Sequence, residues 1–158
     1  MAKVALMKTV ALSADKAFAI VADVSAYKEF VPLVKRSTIR GAVTEIDDTK
    51  SFAADLMVAY NRLSLSVIFT SMVEVNATAR TVIATSDDGP IKGLKAVWQI
   101  TPIDSTHSTV AIDIDYELKS KLMQMAVGGL MHRAVEKVLE AFEARGRQLY
   151  PMSALPNI

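Results

Sequence analysis

Few residues in this 158-residue chain are suited to acid–base or metal chemistry. It has two histidines and no cysteine. His107 falls in a turn, Asp104–Ser108, and His132 falls on the polar side of a helical segment, so neither faces an interior where a base would act. The missing cysteines exclude thiol chemistry and a disulfide framework. Without an inward-facing histidine pair, zinc or iron has no ligand set. Asp113, Asp115 and Glu117 have the spacing of a cation site. Residues two apart share one strand face, however, and the opposite face here carries Val110, Ile112, Ile114, Tyr116 and Leu118. The acidic face is therefore the wet one, and Asp55 likewise points away from the apolar side of its own strand. No glycine-rich phosphate loop leads from a strand into a helix.

Two further features are out of keeping with their surroundings. Arg145 lies among Ala141, Phe142 and Leu149, and an unpaired buried guanidinium would cost several kcal/mol, so it must reach a carboxylate, a carbonyl or the surface. It either snorkels out at the sheet edge or anchors the polar end of a ligand or partner. Gly128-Gly129 interrupts a helical pattern at about 1 kcal/mol per glycine relative to alanine. The pair reads as a kink or a close contact with another segment, with a flexible gate as the alternative.

The elements that must position these residues follow from periodicity. Lys3–Leu12 reads as a strand, and Ser13 caps a helix whose face is Ala14, Ala17, Phe18, Val21 and Val24. A second helical turn over Ala26–Val31 is stopped by Pro32. Strands follow at Ser37–Ile46, Ser51–Tyr60, Leu63–Val75, Thr81–Ser86, Gly93–Pro102 and Thr109–Leu118, with a strong break at Asp87-Asp88-Gly89-Pro90. Short connections favour an antiparallel meander. The chain then enters one long helix, Lys119–Tyr150. Its apolar stripe is Met123, Val127, Leu130, Met131, Ala134, Val138, Ala141, Phe142 and Leu149, opposite His132, Glu136, Glu140, Glu143 and Arg147. The expected architecture is α+β: a curved antiparallel sheet of about seven strands wrapped around a long C-terminal helix, with two short helices after the first strand, a helix-grip fold. Residues 1–150 form one domain and 151–158 a loose tail.

Composition narrows the function classes. Apolar residues make up 51% and charged residues 22%, with a net charge of +1, so no global field favours DNA or an acidic partner. Seven Lys/Arg against three Asp/Glu lie within residues 1–40, where Lys28, Lys35, Arg36 and Arg40 form either a solvated edge or a docking patch. No secretory signal or twenty-residue apolar run is present, which points to a cytoplasmic protein with at most a peripheral contact to the inner membrane. Eight methionines, several on the last helix, suit either core filling or an adaptable apolar cavity wall. Tyr27, Phe30, Tyr60, Phe69, Trp98 and Tyr116 can be core or can line a cavity with the helix methionines, and the two give nearly the same sequence signature.

Several motifs in order resemble the coenzyme Q-binding branch of the START-like superfamily, also classed as polyketide cyclase/dehydrase, which includes RatA-like ribosome association toxins. They are Tyr27-x-x-Phe30-x-Pro32, Leu56-x-Val58 and Phe69-Thr70-Ser71-x-Val73. Next come Asp88-Gly89-Pro90 with Leu94 and Trp98, Glu117-Leu118-x-Ser120-x-Leu122, and Ala141-Phe142-Glu143-x-Arg145 with Leu149-Tyr150. Leu33, Ile91 and Leu118 depart from the family's aromatic habit. The resemblance implies a hydrophobic tunnel between sheet and helix. Its expected walls are Tyr27, Phe30, Leu56, Val58, Tyr60, Phe69, Trp98, Ile112, Ile114, Tyr116, Met123, Val127, Leu130, Met131 and Val138, with Arg145 at the polar end. It implies a hydrophobic ligand such as ubiquinone or another isoprenoid lipid and no required cofactor or metal. It also implies a non-enzymatic chaperone role. A protein that binds the large ribosomal subunit and blocks subunit association is the alternative, and a polyketide cyclase/aromatase-type enzyme the third reading. Tyr60, Tyr116 and Arg145 are the candidates for headgroup contact.

Overall fold

Seven stretches of alternating residues pair into one antiparallel sheet in the computed structural model, which describes residues 2–60 and 64–151. The strands are β1 (Ala2–Val10), β2 (Val34–Ile46), β3 (Thr49–Tyr60), β4 (Leu65–Asn76), β5 (Thr81–Ser86), β6 (Ile91–Pro102) and β7 (Ser108–Leu118), in spatial order β1-β7-β6-β5-β4-β3-β2. Every neighbour from β2 to β7 follows in sequence, as short turns require. Only β1 joins out of order, pairing Val4 with Ile114 and Leu6 with Ile112. Between β1 and β2 lie α1 (Ala14–Ala22), a 3-10 turn (Val24–Ala26) and α2 (Tyr27–Phe30). The expected helix-grip sheet with two small helices after the first strand is what the chain forms. The predicted start of β4 at Leu63 and the tail beyond Pro151 lie outside the described residues.

Register explains which side is buried. Facing pairs Phe52–Val73, Trp98–Ile112 and Ile100–Val110 place apolar side chains on the concave face, and these residues are buried. Asp113 is exposed on the convex face, where Lys3 meets Asp115 at 3.7 Å and Lys92 meets Glu117 at 3.3 Å. Asp55 is also outside, taking a hydrogen bond from the Thr70 hydroxyl at 2.7 Å and an ion pair from Arg40 at 2.7 Å. At the sheet's edge, β2 is broken by register shifts between Val34 and Arg36 and between Arg40 and Thr44. Gly41 in the second shift has φ of 74°. Only glycine adopts that backbone conformation without strain.

The predicted single helix Lys119–Tyr150 is instead two: α3 (Lys121–Gly128) and α4 (Met131–Leu149). Ser120 caps α3, accepting a hydrogen bond from the Met123 amide at 3.2 Å. The break falls on Gly128-Gly129, and nothing within 4 Å would meet a Cβ at either position. The close-contact reading of the pair therefore gives way to a kink: two adjacent glycines weaken the helix and no packing restores it.

The break also resets the helical phase. The stripe read through an unbroken helix ran from Met123 and Val127 through Ala134, Val138, Ala141 and Phe142 to Leu149, but of its α4 positions only Phe142 is buried, beside Val135, Leu139 and Gly146. Leu149 is exposed. The register has moved by about one residue, or about 100° of rotation. Gly146, not Arg145, faces the sheet, and a Cβ on it would lie 2.4 Å from Leu12 Cδ1.

Candidate functional site

The space between sheet and C-terminal helices is filled at one end and hollow at the other. At the filled end, Phe142 of α4 meets Trp98 of β6 with ring centroids 4.7 Å apart, Phe30 of α2 at 5.0 Å and Tyr27 at 5.3 Å. The Phe30 and Tyr27 rings meet Phe142 edge-on and Trp98 is tilted against it, and such aromatic pairs add roughly 0.5–1.5 kcal/mol each beyond area burial. The Tyr27 hydroxyl donates to the Val21 carbonyl. Burial first, and the Asp23 carboxylate second, push its phenol well above the usual range. Ile112 is core here, and Ile114 and Val138 pack against it.

The hollow end is a cavity of about 200 Å³ lined by Val58, Val67, Phe69, Ile91, Leu94, Tyr116, Leu118, Met123, Val127 and Met131. Sheet pairing builds its floor: Val58 faces Val67, and Leu94 faces Tyr116. α3 forms its roof through Met123 and Val127, and Met131 closes it from the first turn of α4. No ionisable acid or base lines it other than the Tyr116 phenol. Burial raises that group's pKa, so it is neutral at physiological pH.

The hollow exists because β5 is short. Its six residues pair with β4 only over Met72–Asn76, so the first half of β4 and the start of β6 have no strand between them. The Asp87-Asp88-Gly89-Pro90 turn crosses that gap. The Thr70 amide donates to Asp88 Oδ2 at 2.9 Å, and the Ser86 hydroxyl donates to the Thr70 carbonyl at 2.7 Å. Gly89, at φ of 60°, lies so close that a Cβ would be 3.2 Å from the Ile68 carbonyl oxygen. The turn thus satisfies the edge of β4 without supplying side chains to fill the space.

Of the wall residues expected from sequence, the cavity gathers Val58, Phe69, Tyr116, Met123, Val127 and Met131. Tyr27, Phe30, Trp98, Ile112, Ile114 and Val138 belong to the packed end. Leu56 faces Phe69 across the strands but does not line the hollow. Tyr60 ends β3, and Leu130 sits half-buried in the break between the helices. Arg145 does not line this hollow; with Phe30 and Tyr150 it borders a separate concavity of about 190 Å³ beside α1 and α2. Its guanidinium pairs with Glu29 at 3.1 Å and stacks on Phe30 at 4.9 Å, beside α2. Val67, Ile91, Leu94 and Leu118 complete the wall. Inward alternation marks Val67, Leu94 and Leu118, but that signal cannot separate a core position from a cavity wall, and Ile91 precedes the predicted start of its strand at Gly93.

A larger concavity, about 500 Å³, lies between α1 and the β2–β3 hairpin, lined by apolar residues including Phe18, Val24, Ile39, Val43, Phe52 and Val75 and by Asp23, Glu45, Asp47, Asp48 and Lys50. Five charged side chains line it, whereas none lines the hollow under α3, so that hollow is the candidate site for an uncharged tail. Among the described residues no cluster of His, Asp and Glu could hold a metal ion, and no helix is long and apolar enough to cross a membrane.

A curved antiparallel sheet gripping a C-terminal helix over an apolar hollow is a helix-grip fold, and the chain superposes on a START superfamily protein from Mycobacterium smegmatis with a TM-score of 0.77. That match has 22% identity and covers 93% of this chain and 98% of the other. Residues 10–143 match the family described as polyketide cyclase/dehydrase and lipid transport, and the chain belongs to that family. It is 30% identical over 156 residues to the ribosome association toxin RatA of Vibrio cholerae, covering 95% of this chain and 99% of that protein. It is 27% identical over 128 residues to the mitochondrial coenzyme Q-binding protein of Schizosaccharomyces pombe, covering 79% of this chain and 74% of the relative.

Proposed function

We propose that the protein binds the tail of an isoprenoid quinone such as ubiquinone, or a comparable lipid, in the hollow under α3 and serves as its carrier without transforming it. The observation that carries this reading is the cavity wall: ten side chains from four strands and two helices, all apolar except for one tyrosine hydroxyl. Apolar walls hold a tail by burial, at about 0.8 kcal/mol per methylene. One five-carbon unit is therefore worth roughly 4 kcal/mol. The volume of about 200 Å³ is below the roughly 300–1,000 Å³ usual for a whole small ligand, so part of the molecule stays outside or α3 shifts to admit it. The name of the fission yeast relative supports a quinone as the ligand. A cyclase role would need an acid or base facing the ligand, and Asp55 and Asp113 stand on the convex side. Extraction of the purified protein into organic solvent, followed by mass spectrometry, should release a quinone or acyl species. A clean extract together with no uptake of a short-chain ubiquinone analogue counts against the reading.

A second reading, association with the large ribosomal subunit, is supported by the near full-length similarity to RatA. Within the basic group expected to carry it, Lys28 is turned back onto the carbonyls of Ser25 and Ser37, each at 2.9 Å, and Arg40 is held by Asp55. Lys35 and Arg36 are left as the footprint. Sedimentation with large subunits at low salt, lost on Lys35→Glu/Arg36→Glu, supports this role, and absence of cosedimentation removes it.

A further inference from the structure

Helix α3 is apolar on both sides. At about 100° per residue, Met123 and Val127 share the side that roofs the cavity, and Leu122 and Met125 project from the other. Those two are 79% and 78% exposed, the most exposed large apolar side chains among the described residues. No residue of α3 is buried. Exposing two such side chains on one turn of a short helix forfeits burial that any covering surface would recover.

The charge around this helix is one-signed. From Leu118 to Val135 the chain carries Lys119, Lys121 and Arg133, with His132, and no Asp or Glu. The nearest acids on either side are already engaged: Glu117 pairs with Lys92 at 3.3 Å, and Glu136 lies 3.9 Å from His132. Both lysines and the arginine are exposed. An exposed apolar pair on a stretch that carries cations and no carboxylate fits an anionic lipid surface, which takes the apolar side chains into its acyl boundary and the cations at its headgroups. A folded protein partner would satisfy the apolar pair equally well but gives no reason for the missing carboxylates. Nucleic acid would use the cations and leave Leu122 and Met125 in water.

We propose that α3 is a membrane-docking element: it inserts Leu122 and Met125 into the surface of a bilayer containing anionic lipid, steered by Lys119, Lys121 and Arg133. The placement rests on the cavity reading only for its purpose, since docking by the roof would set the hollow against the lipid from which a tail is drawn. The Gly128-Gly129 break separates α3 from α4, and nothing within 4 Å would meet a Cβ at either glycine.

The test is flotation of the full chain with vesicles of pure phosphatidylcholine and with an equal mixture of phosphatidylcholine and phosphatidylglycerol. Binding should be strong only to the mixed vesicles. Leu122→Glu/Met125→Glu should weaken it about a hundredfold or more, since two inserted side chains each contribute more than the free energy of a tenfold step. Lys119→Glu and Lys121→Glu should each weaken it by more than about fivefold, the worth of one cation at the surface, because the charge is reversed and not only removed. Met7→Glu, at an equally exposed apolar site on β1 (70% exposed), should leave it unchanged. All of these positions are exposed, and thermal melts verify folding. No binding to either vesicle overturns the proposal. So does equal loss in Met7→Glu, or loss with charge reversal alone while Leu122→Glu/Met125→Glu binds normally, which would mark a purely electrostatic contact such as RNA. Uptake of a soluble ubiquinone analogue is measured on the same samples: normal uptake with failed flotation refutes docking alone, and failed uptake with normal flotation refutes the cavity reading alone.

Discussion

The two ends of the sheet–helix space should respond oppositely to side-chain volume, and Leu94→Trp makes the difference measurable. Leu94 is half-buried on β6, faces Tyr116 across the ladder and borders the hollow of about 200 Å³. An indole there grows into empty space and not into neighbours, so folding stability should change by less than about 1.5 kcal/mol. If the indole displaces roughly three ligand carbons, at about 0.8 kcal/mol per methylene, binding weakens by roughly 2.4 kcal/mol, or about fiftyfold. Phe142→Ala at the filled end should do the reverse. It removes the hub of the aromatic cluster at a cost of about 3–5 kcal/mol in stability, while the hollow's wall stays intact. Calorimetric titration with a short-chain ubiquinone analogue and denaturant unfolding of both variants give the two numbers. A folded Leu94→Trp protein that binds the analogue as tightly as the parent would refute the location of the site.

Other perturbations separate architecture from binding. Gly146→Leu forces Leu12 aside and should cost about 1–3 kcal/mol by urea unfolding. The double variant with Leu12→Ala should be less destabilised than the sum of the two singles, because the two positions share one space. Arg145→Ala removes the Glu29 pair and the Phe30 stacking, so stability should fall by about 1–2 kcal/mol with ligand affinity unchanged. Lost affinity with unchanged stability would restore it as a headgroup anchor. The Thr70 hydroxyl and then Arg40 hold the Asp55 carboxyl below its ordinary value of 3.8. A depressed folded-state pKa gives stability that is present above 3.8 and is lost as pH falls through the lowered value. Asp55→Asn should flatten that acid limb in unfolding measured across the range, and an unchanged limb would contradict the assignment.

Strand alternation made most of the sheet legible before any coordinates, because one wet face against one buried face leaves a period of two that register must respect. The acidic triplet on β7 was placed on the outside by this argument alone. The helix was harder. A 3.6-residue wheel drawn from Met123 through Leu149 assumes constant phase, and Gly128-Gly129 broke it, so Val135 and Leu139 were passed over and Arg145 was set in the middle of the stripe. The cavity was harder still. Phe69 and Trp98 look alike as inward aromatic residues on strands, yet one borders empty space and the other is wedged against Phe142. The difference lies in the length of β5 and the path of the Asp-Asp-Gly-Pro turn, which sequence periodicity does not encode.

The interrupted β2 ladder has a consequence for self-association. An outermost strand with regular spacing offers a ready template for another chain, and this one also displays Ile39, Val43 and Ile46 to solvent. The two register shifts and the left-handed glycine turn the amides and carbonyls of β2 out of a common plane. A visiting strand therefore finds only short matched runs, and the greasy border stays tolerable in a crowded solution.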